Sequence, residues 1–293
     1  MIDQASKLRQ MIIDKSEVYK EIKEETQGVK IYSIVSGKGG VGKTNFAVNL
    51  AIKLQQMGKR VLILDADIGF SNANIILGVE TRLNLFHLIN GDAILEDIIV
   101  KGAEGVDLIS GGTDLFFLEG LNYSKQQEVI DSLGLIGKYD ILIIDNGAGI
   151  SKQTITFTSF AHEVILVTTP EPTAITDAYS FLKGISIYKA KDKVKVVVNQ
   201  IPEKSYGDDA FNKLSNTARE FLNLELENIG YIFNDSRVTK AVMEQIPMVI
   251  RYPNTLASRN ITEISKNILE DKNYNFNVSS LRQLGNRIIK MFG

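Results

Sequence analysis

The sequence contains no cysteine. Disulfides, zinc–thiolate sites and any iron–sulfur cluster held by cysteine are therefore excluded. It has only two histidines, His87 and His162, isolated and each in an apolar neighbourhood. Structural roles are expected for both, since there is no histidine cluster and no Ser-His-Asp arrangement. No apolar run approaches the length of a membrane-spanning helix, and the N-terminus has mixed charge rather than a signal-like pattern. A cytoplasmic protein is expected. The net charge of −2 gives no overall drive toward nucleic acid. With 44% hydrophobic and 23% charged residues over 293 positions, the chain suits one large α/β domain with short appendages.

What is present centres on residues 37–44, GKGGVGKT. A glycine, four residues and then Gly-Lys-Thr is the P-loop spacing. The β-branched run 31–36 precedes it as a buried strand, and 45–57 follows as an amphipathic helix stopped by Gly58. Glycines let backbone N–H groups turn onto phosphate oxygens, and the helix N-terminus adds its positive end. Lys43 would reach the β- and γ-phosphates, and the Thr44 hydroxyl would sit on Mg²⁺.

Beyond the loop, strand patterns fall at 60–65, 106–109, 139–145, 163–169, 193–199 and 229–233. Helical patterns lie between them, notably at 124–136, 174–188 and 208–222. This alternation predicts an α/β fold, a mostly parallel sheet flanked by helices on both faces, with ligands at the carboxyl ends of the strands. Three carboxylates stand at such ends. Asp65 and Asp67 close the second strand, and Asp145 closes the apolar run 141–144, followed by Asn146-Gly147-Ala148-Gly149. Asp67 suits work on Mg²⁺ and the attacking water, and Asp65 is the better candidate for capping the next turn. Asp145 would hold Mg²⁺, and the glycines after it allow movement when the γ-phosphate leaves. Asn199 ends a further strand and is either a reader of a base edge or a turn asparagine.

The second lysine of the loop, Lys38, makes the motif KGG-x-GK-T, which resembles the deviant P-loop of the MinD/ParA family of ATPases. Residues 67–78, DIGFSNANIILG, resemble the first switch of the MinD group, which includes Asn72. The resemblance implies a Mg²⁺-dependent ATPase converting ATP and water to ADP and phosphate. It implies catalytic roles for Lys38, Lys43 and Asp67, with Lys38 crossing a homodimer interface to the partner's nucleotide. Metal contacts would come from Thr44, Asp67 and Asp145. Nucleotide contacts would come from Gly37, Lys38, Gly39, Gly40, Val41, Gly42, Lys43, Thr44 and Asn45, with Asn199 and Asp235 at the base. Relatives often carry a small hydroxyl residue or proline near Asn146, so its role is open.

The two ends refine the resemblance. Residues 1–28 form a charged helical segment and linker, either a peripheral helix or a segment that docks on a partner. Within it 3–9, DQASKLR, matches the DQAxxLR motif of the FlhG family of flagellar MinD-like ATPases. In that family the motif activates the FlhF GTPase, which makes Asp3, Gln4, Ala5, Leu8 and Arg9 the implied partner-binding residues. The ATPase domain is expected over 29–270. In 271–293 a polar linker precedes a basic amphipathic helix, with Leu281, Leu284, Ile288, Ile289 and Phe292 on one face. Such a helix either packs on its own domain or lies on a membrane surface. Resemblance to MinD-type targeting helices favours reversible attachment of the ATP-bound protein to the cytoplasmic membrane. The implied function is spatial regulation of flagellar number or placement, with flagellar basal-body components as further candidate partners. A MinD-like division-site regulator and a ParA-like DNA-segregation ATPase are the alternatives.

Overall fold

The computed structural model describes residues 29–67, 72–111 and 138–270. The N-terminal motif residues Asp3, Gln4, Ala5, Leu8 and Arg9, the helix expected at 124–136 and the C-terminal face Leu281, Leu284, Ile288, Ile289 and Phe292 lie outside them.

In chain order the elements are β1 (Lys30–Val35), α1 (Lys43–Gln56), β2 (Val61–Ala66), α2 (Ala73–Leu77), α3 (Leu85–Asn90), α4 (Leu95–Ile98), β3 (Ile99–Lys101) and β4 (Asp107–Ser110). They continue with β5 (Ile141–Asn146), α5 (Lys152–Phe160), β6 (Glu163–Thr168), α6 (Pro172–Ile187), β7 (Lys193–Ile201) and α7 (Lys204–Leu222). The last are β8 (Glu225–Phe233), α8 (Ser236–Met243), α9 (Met248–Arg251) and α10 (Leu256–Glu270).

The strands form one sheet in the order β3-β4-β2-β5-β1-β6-β7-β8. All neighbours run parallel except β3 against β4. Strand β1 sits centrally, paired to β5 on one side and β6 on the other, and all six of its residues are buried. Its side chains alternate between faces. Tyr32 and Ile34 pack with Phe46, Leu50 and Leu54 of α1 and with Ile261 and Ile264 of α10. On the opposite face Ile31 joins Leu62, Leu142 and Phe157, while Val35 joins Phe181 and Leu182 of α6. Burial on both faces is why these strands read as continuous apolar runs. Among the described residues no helix is long and apolar enough to cross a membrane.

Most expected elements occur with shifted ends. The helix after the P-loop starts at Lys43 rather than Asn45, and the strand expected at 229–233 begins four residues earlier, at Glu225. The early half of β8 alternates Glu225, Leu226, Glu227 and Asn228 on an edge, where one side stays polar. Strand β3 and helices α8 and α10 were not legible as elements from the sequence pattern.

Candidate functional site

The P-loop leaves the carboxyl end of β1 and enters α1, whose N-terminus has no side-chain cap and no acidic residue in its first turn. Its leading N–H groups thus remain for an anion. Two glycines are dictated by contact. A Cβ on Gly37 would lie 2.2 Å from the backbone of Asp177 in α6, and Gly42 has φ +86° with Asn199 Nδ2 only 2.4 Å from the position of a Cβ. Above Gly39 and Gly40 the space is open.

Lys43 is buried, and its Nζ donates to Asp145 Oδ1 at 2.6 Å and to Thr44 Oγ1 at 3.3 Å. Asp145 is fully buried, yet its Oδ2 has no hydrogen-bond partner. A buried carboxylate oxygen with a spare lone pair and a threonine hydroxyl close by are oxygen ligands of the kind that Mg²⁺ and its waters take. Strands β2 and β5 pair Asp65 with Asp145 in register, and Asp67, one residue past the end of β2, is near enough to feel the Asp145 charge.

Asp65 is committed to structure. Its Oδ1 accepts from Asp67 N at 3.2 Å, and its Oδ2 accepts from Asn72 N and Ala73 N, each at 3.1 Å. It therefore ties both ends of the loop between β2 and α2, in keeping with its reading as a turn cap. Burial first, and Asp145 second, push its carboxyl up to about 6. Asp67 is half-buried. Burial chiefly holds its carboxyl above the ordinary range, Lys43 draws it down and Asp145 pushes it up again. A Cβ on Gly147 would lie 3.2 Å from Asp67 Oδ1, so the glycine segment after Asp145 packs directly against this carboxylate.

Lys38 points away from the phosphate cradle toward the start of α6. Its Nζ donates to Glu171 Oε2 and Thr173 Oγ1, both at 3.0 Å. Both partners in that ion pair are exposed, so the contact is worth only about 0–1 kcal/mol and opens readily.

A cavity of about 210 Å³ adjoins the loop, lined by Gly42, Asn45, Phe46, Asn199, Asp235 and Val238 among others. Asn45 Nδ2 is buried there without a partner. Asn199 donates to Val41 O at 2.8 Å, a contact within the protein that the sequence does not announce. Asp235 lines the cavity, but its carboxylate is spent on capping α8 through Arg237 N at 3.0 Å and on the Arg237 guanidinium. Asn146 is also internal: its Nδ2 donates to Ser33 Oγ and Ile34 O, both at 2.9 Å, stitching β5 to β1. His162 Nδ1 accepts from Ile31 N at 3.0 Å, and His87 pairs with Asn84 at the start of α3, structural roles in both cases.

The geometry is that of a site for a nucleoside triphosphate with a divalent cation. Residues 29–198 match the model of a family described as AAA domain. The flagellum site-determining protein YlxH of Helicobacter pylori is 34% identical over 267 residues, covering 90% of each chain. The antiactivator FleN of Pseudomonas aeruginosa is 34% identical over 231 residues, 78% of this chain and 82% of that one. Among solved structures, a chain of the MinC:MinD cell division protein complex of Aquifex aeolicus superposes with a TM-score of 0.67 at 26% identity, covering 83% of this chain and 96% of that one. MinD of Pyrococcus horikoshii, solved with Mg-ADP, gives 0.62 at 28% identity, covering 83% and 96%. With 34% identity to YlxH and FleN over most of the chain, the matching family model and this sheet, the protein belongs to the FlhG (YlxH/FleN) group of MinD-like P-loop ATPases.

Proposed function

We propose that the chain is an ATP-hydrolysing regulator of flagellar number or placement, switched between a free and a membrane-attached dimeric state by its nucleotide. ATP and Mg²⁺ are its cofactors. The observation that carries the reading is the meeting of Lys43, Asp145 and Asp67 at the carboxyl ends of three adjacent strands, with one oxygen of Asp145 unpartnered.

In this reading the backbone of Gly39–Lys43 cradles the phosphates and Lys43 leaves Asp145 for the β- and γ-phosphates. Thr44 and Asp145 would hold Mg²⁺, which would neutralise charge building on the phosphate oxygens. Asp67 orients the water whose oxygen attacks the γ-phosphorus as the bond to the β–γ bridging oxygen breaks. The products are ADP and phosphate, and the proton of the water goes to solvent through the Asp67 side. Asn45 Nδ2 supplies a further donor to the nucleotide. Lys38 exchanges Glu171 for the nucleotide of a second subunit, which makes the ATP-bound dimer the assembled state.

The ends supply the output. Residues 3–9 activate an FlhF-type GTPase, and the helix over 281–292 attaches to the cytoplasmic membrane surface. Five large apolar side chains only partly immersed, minus the free energy of ordering the helix, leave one copy weakly bound. Two copies on one dimer gain roughly 10²–10⁴ in avidity.

The test is GTP hydrolysis by an FlhF-type partner in the presence of the full chain, of the chain lacking residues 1–25, and of a peptide of residues 1–25. Stimulation by the chain and the peptide, lost on truncation and weakened by Gln4→Ala or Arg9→Ala, is the expected result. No stimulation at saturating peptide would move the chain toward division-site regulation.

A further inference from the structure

Asn199 lines the cavity beside the P-loop and also contacts the backbone of the loop itself. Strand β7 loses register with β8 between Val198 and Ile201, which frees residues 199 and 200 from the ladder. Gln200 there takes φ +57°, the left-handed region that costs a non-glycine residue roughly 1–3 kcal/mol. Such a turn persists only where its surroundings hold it, and here it aims two amides at the P-loop. Asn199 Nδ2 donates to Val41 O at 2.8 Å, its Oδ1 accepts from Gln200 N at 2.9 Å, and Gln200 Nε2 faces Gly40 O at 3.5 Å. The orientation of the Asn199 amide is fixed by these partners, because a flip would set N–H against N–H and oxygen against oxygen.

We propose that Asn199 is a positioning residue for the P-loop, bracing its backbone at Val41 whatever base the nucleotide carries. A loop whose N–H groups turn inward onto phosphates turns carbonyls outward, and those carbonyls need partners of their own. Val41 is buried, and its carbonyl takes its donor from Asn199. Gly42 lets the amide come this close, since a Cβ there would meet Nδ2 at 2.4 Å. The amide is spent on the loop and on its own turn, so the brace does not depend on which base is bound. Loss of the amide then loosens the cradle and weakens every nucleotide alike. The inference rests on the nucleotide site of the proposed function, but not on hydrolysis, dimerisation or any flagellar partner.

Equilibrium affinities for ADP and inosine 5′-diphosphate, measured by competition with a fluorescent ADP, test it. The two ligands differ at the 6-position of the purine, where an asparagine would read adenine. Asn199→Ala should weaken both by the same factor, about fivefold to tenfold, the loss of one buried hydrogen bond. Asn199→Asp keeps the shape and the acceptor but cannot donate to Val41, so it should weaken both at least as much. It also serves should the alanine variant fail to fold, with thermal unfolding recorded for each. A fall for ADP with inosine diphosphate unchanged would make Asn199 a base reader and overturn the brace. Unchanged affinities in either variant would overturn it as well. Absence of ADP binding by the wild-type chain would overturn the nucleotide site itself, and the brace with it.

Discussion

Lys43 and Asp145, 102 residues apart, form a buried ion pair of 2.6 Å in which only one carboxylate oxygen is used. Each partner faces the group that the other would serve. The lysine waits beside the carboxylate that would organise Mg²⁺, and the carboxylate offers its second oxygen to the cation. Lys43→Ala should therefore raise the equilibrium dissociation constant for ATP by roughly 100-fold, because a desolvated cation facing two phosphates is gone. Titration with a fluorescent ATP analogue checks this. A change of less than a few-fold would place the phosphates elsewhere.

The Lys38–Glu171 contact gives a second prediction. At 3.0 Å between exposed groups it contributes little to the fold, so Lys38→Ala should leave the unfolding temperature and ATP binding by the monomer near wild type. Its effect should appear in association: light scattering with Mg-ATP should show a dimer for the wild-type chain and a monomer for the variant. A dimeric Lys38→Ala would return this lysine to an ordinary surface role.

Far from the cradle, at the amino ends of the strands, Glu163 accepts Lys30 at 2.5 Å and Lys195 at 2.8 Å. Burial works to raise its carboxyl, but the two lysines outweigh that and hold it below the ordinary glutamate range. A depressed carboxylate contributes stability above its unfolded pKa, and this is lost as pH falls through the folded value. Glu163→Gln takes the carboxylate away from the buried ammonium groups of Lys30 and Lys195 and should cost up to roughly 3–5 kcal/mol at pH 7. Denaturant unfolding measures it, and a loss below about 1 kcal/mol would show the lysines re-pairing.

Asp65 should titrate in the opposite sense. Its carboxyl is pushed up to about 6, so the folded chain holds this proton more tightly than the unfolded one. Its contribution to stability therefore falls as pH rises from about 4 to 6 and is level beyond. The carboxyl ¹³C resonance of Asp65 in nucleotide-free protein should show a midpoint near 6. A midpoint near 4 would mean that the three backbone N–H donors dominate over burial.

The sequence made the sheet, the P-loop and its carboxylates legible because each rests on local chemistry. Apolar runs marked the buried strands, and fixed spacing marked Lys43 and Thr44, while Lys38 was marked by resemblance to the deviant P-loop. Asp65 could be read as a cap because its partners Asp67, Asn72 and Ala73 are near neighbours. Contacts made by folding were not legible. Asn199 meets Val41 across 158 residues and Lys38 meets Glu171 across 133, with no local pattern to announce either. Asp235 looked like a base contact, while the cap it provides to α8 depends on a helix whose short apolar pattern went unread. Strand β3, three residues long and antiparallel, carries too little alternation to be seen.

The central claim is that this chain hydrolyses ATP with Asp67 setting the water. Its position supports that: it is half-buried at the end of β2, packed against Gly147 and held above the ordinary carboxylate range chiefly by burial. The direct measurement is phosphate release from Mg-ATP by the wild-type chain and by Asp67→Ala, with bound ATP quantified in the same samples. The account predicts ATP retained by both and release slowed by roughly 100-fold in the variant, in line with loss of a positioned base. Equal release rates from two ATP-loaded proteins would contradict it.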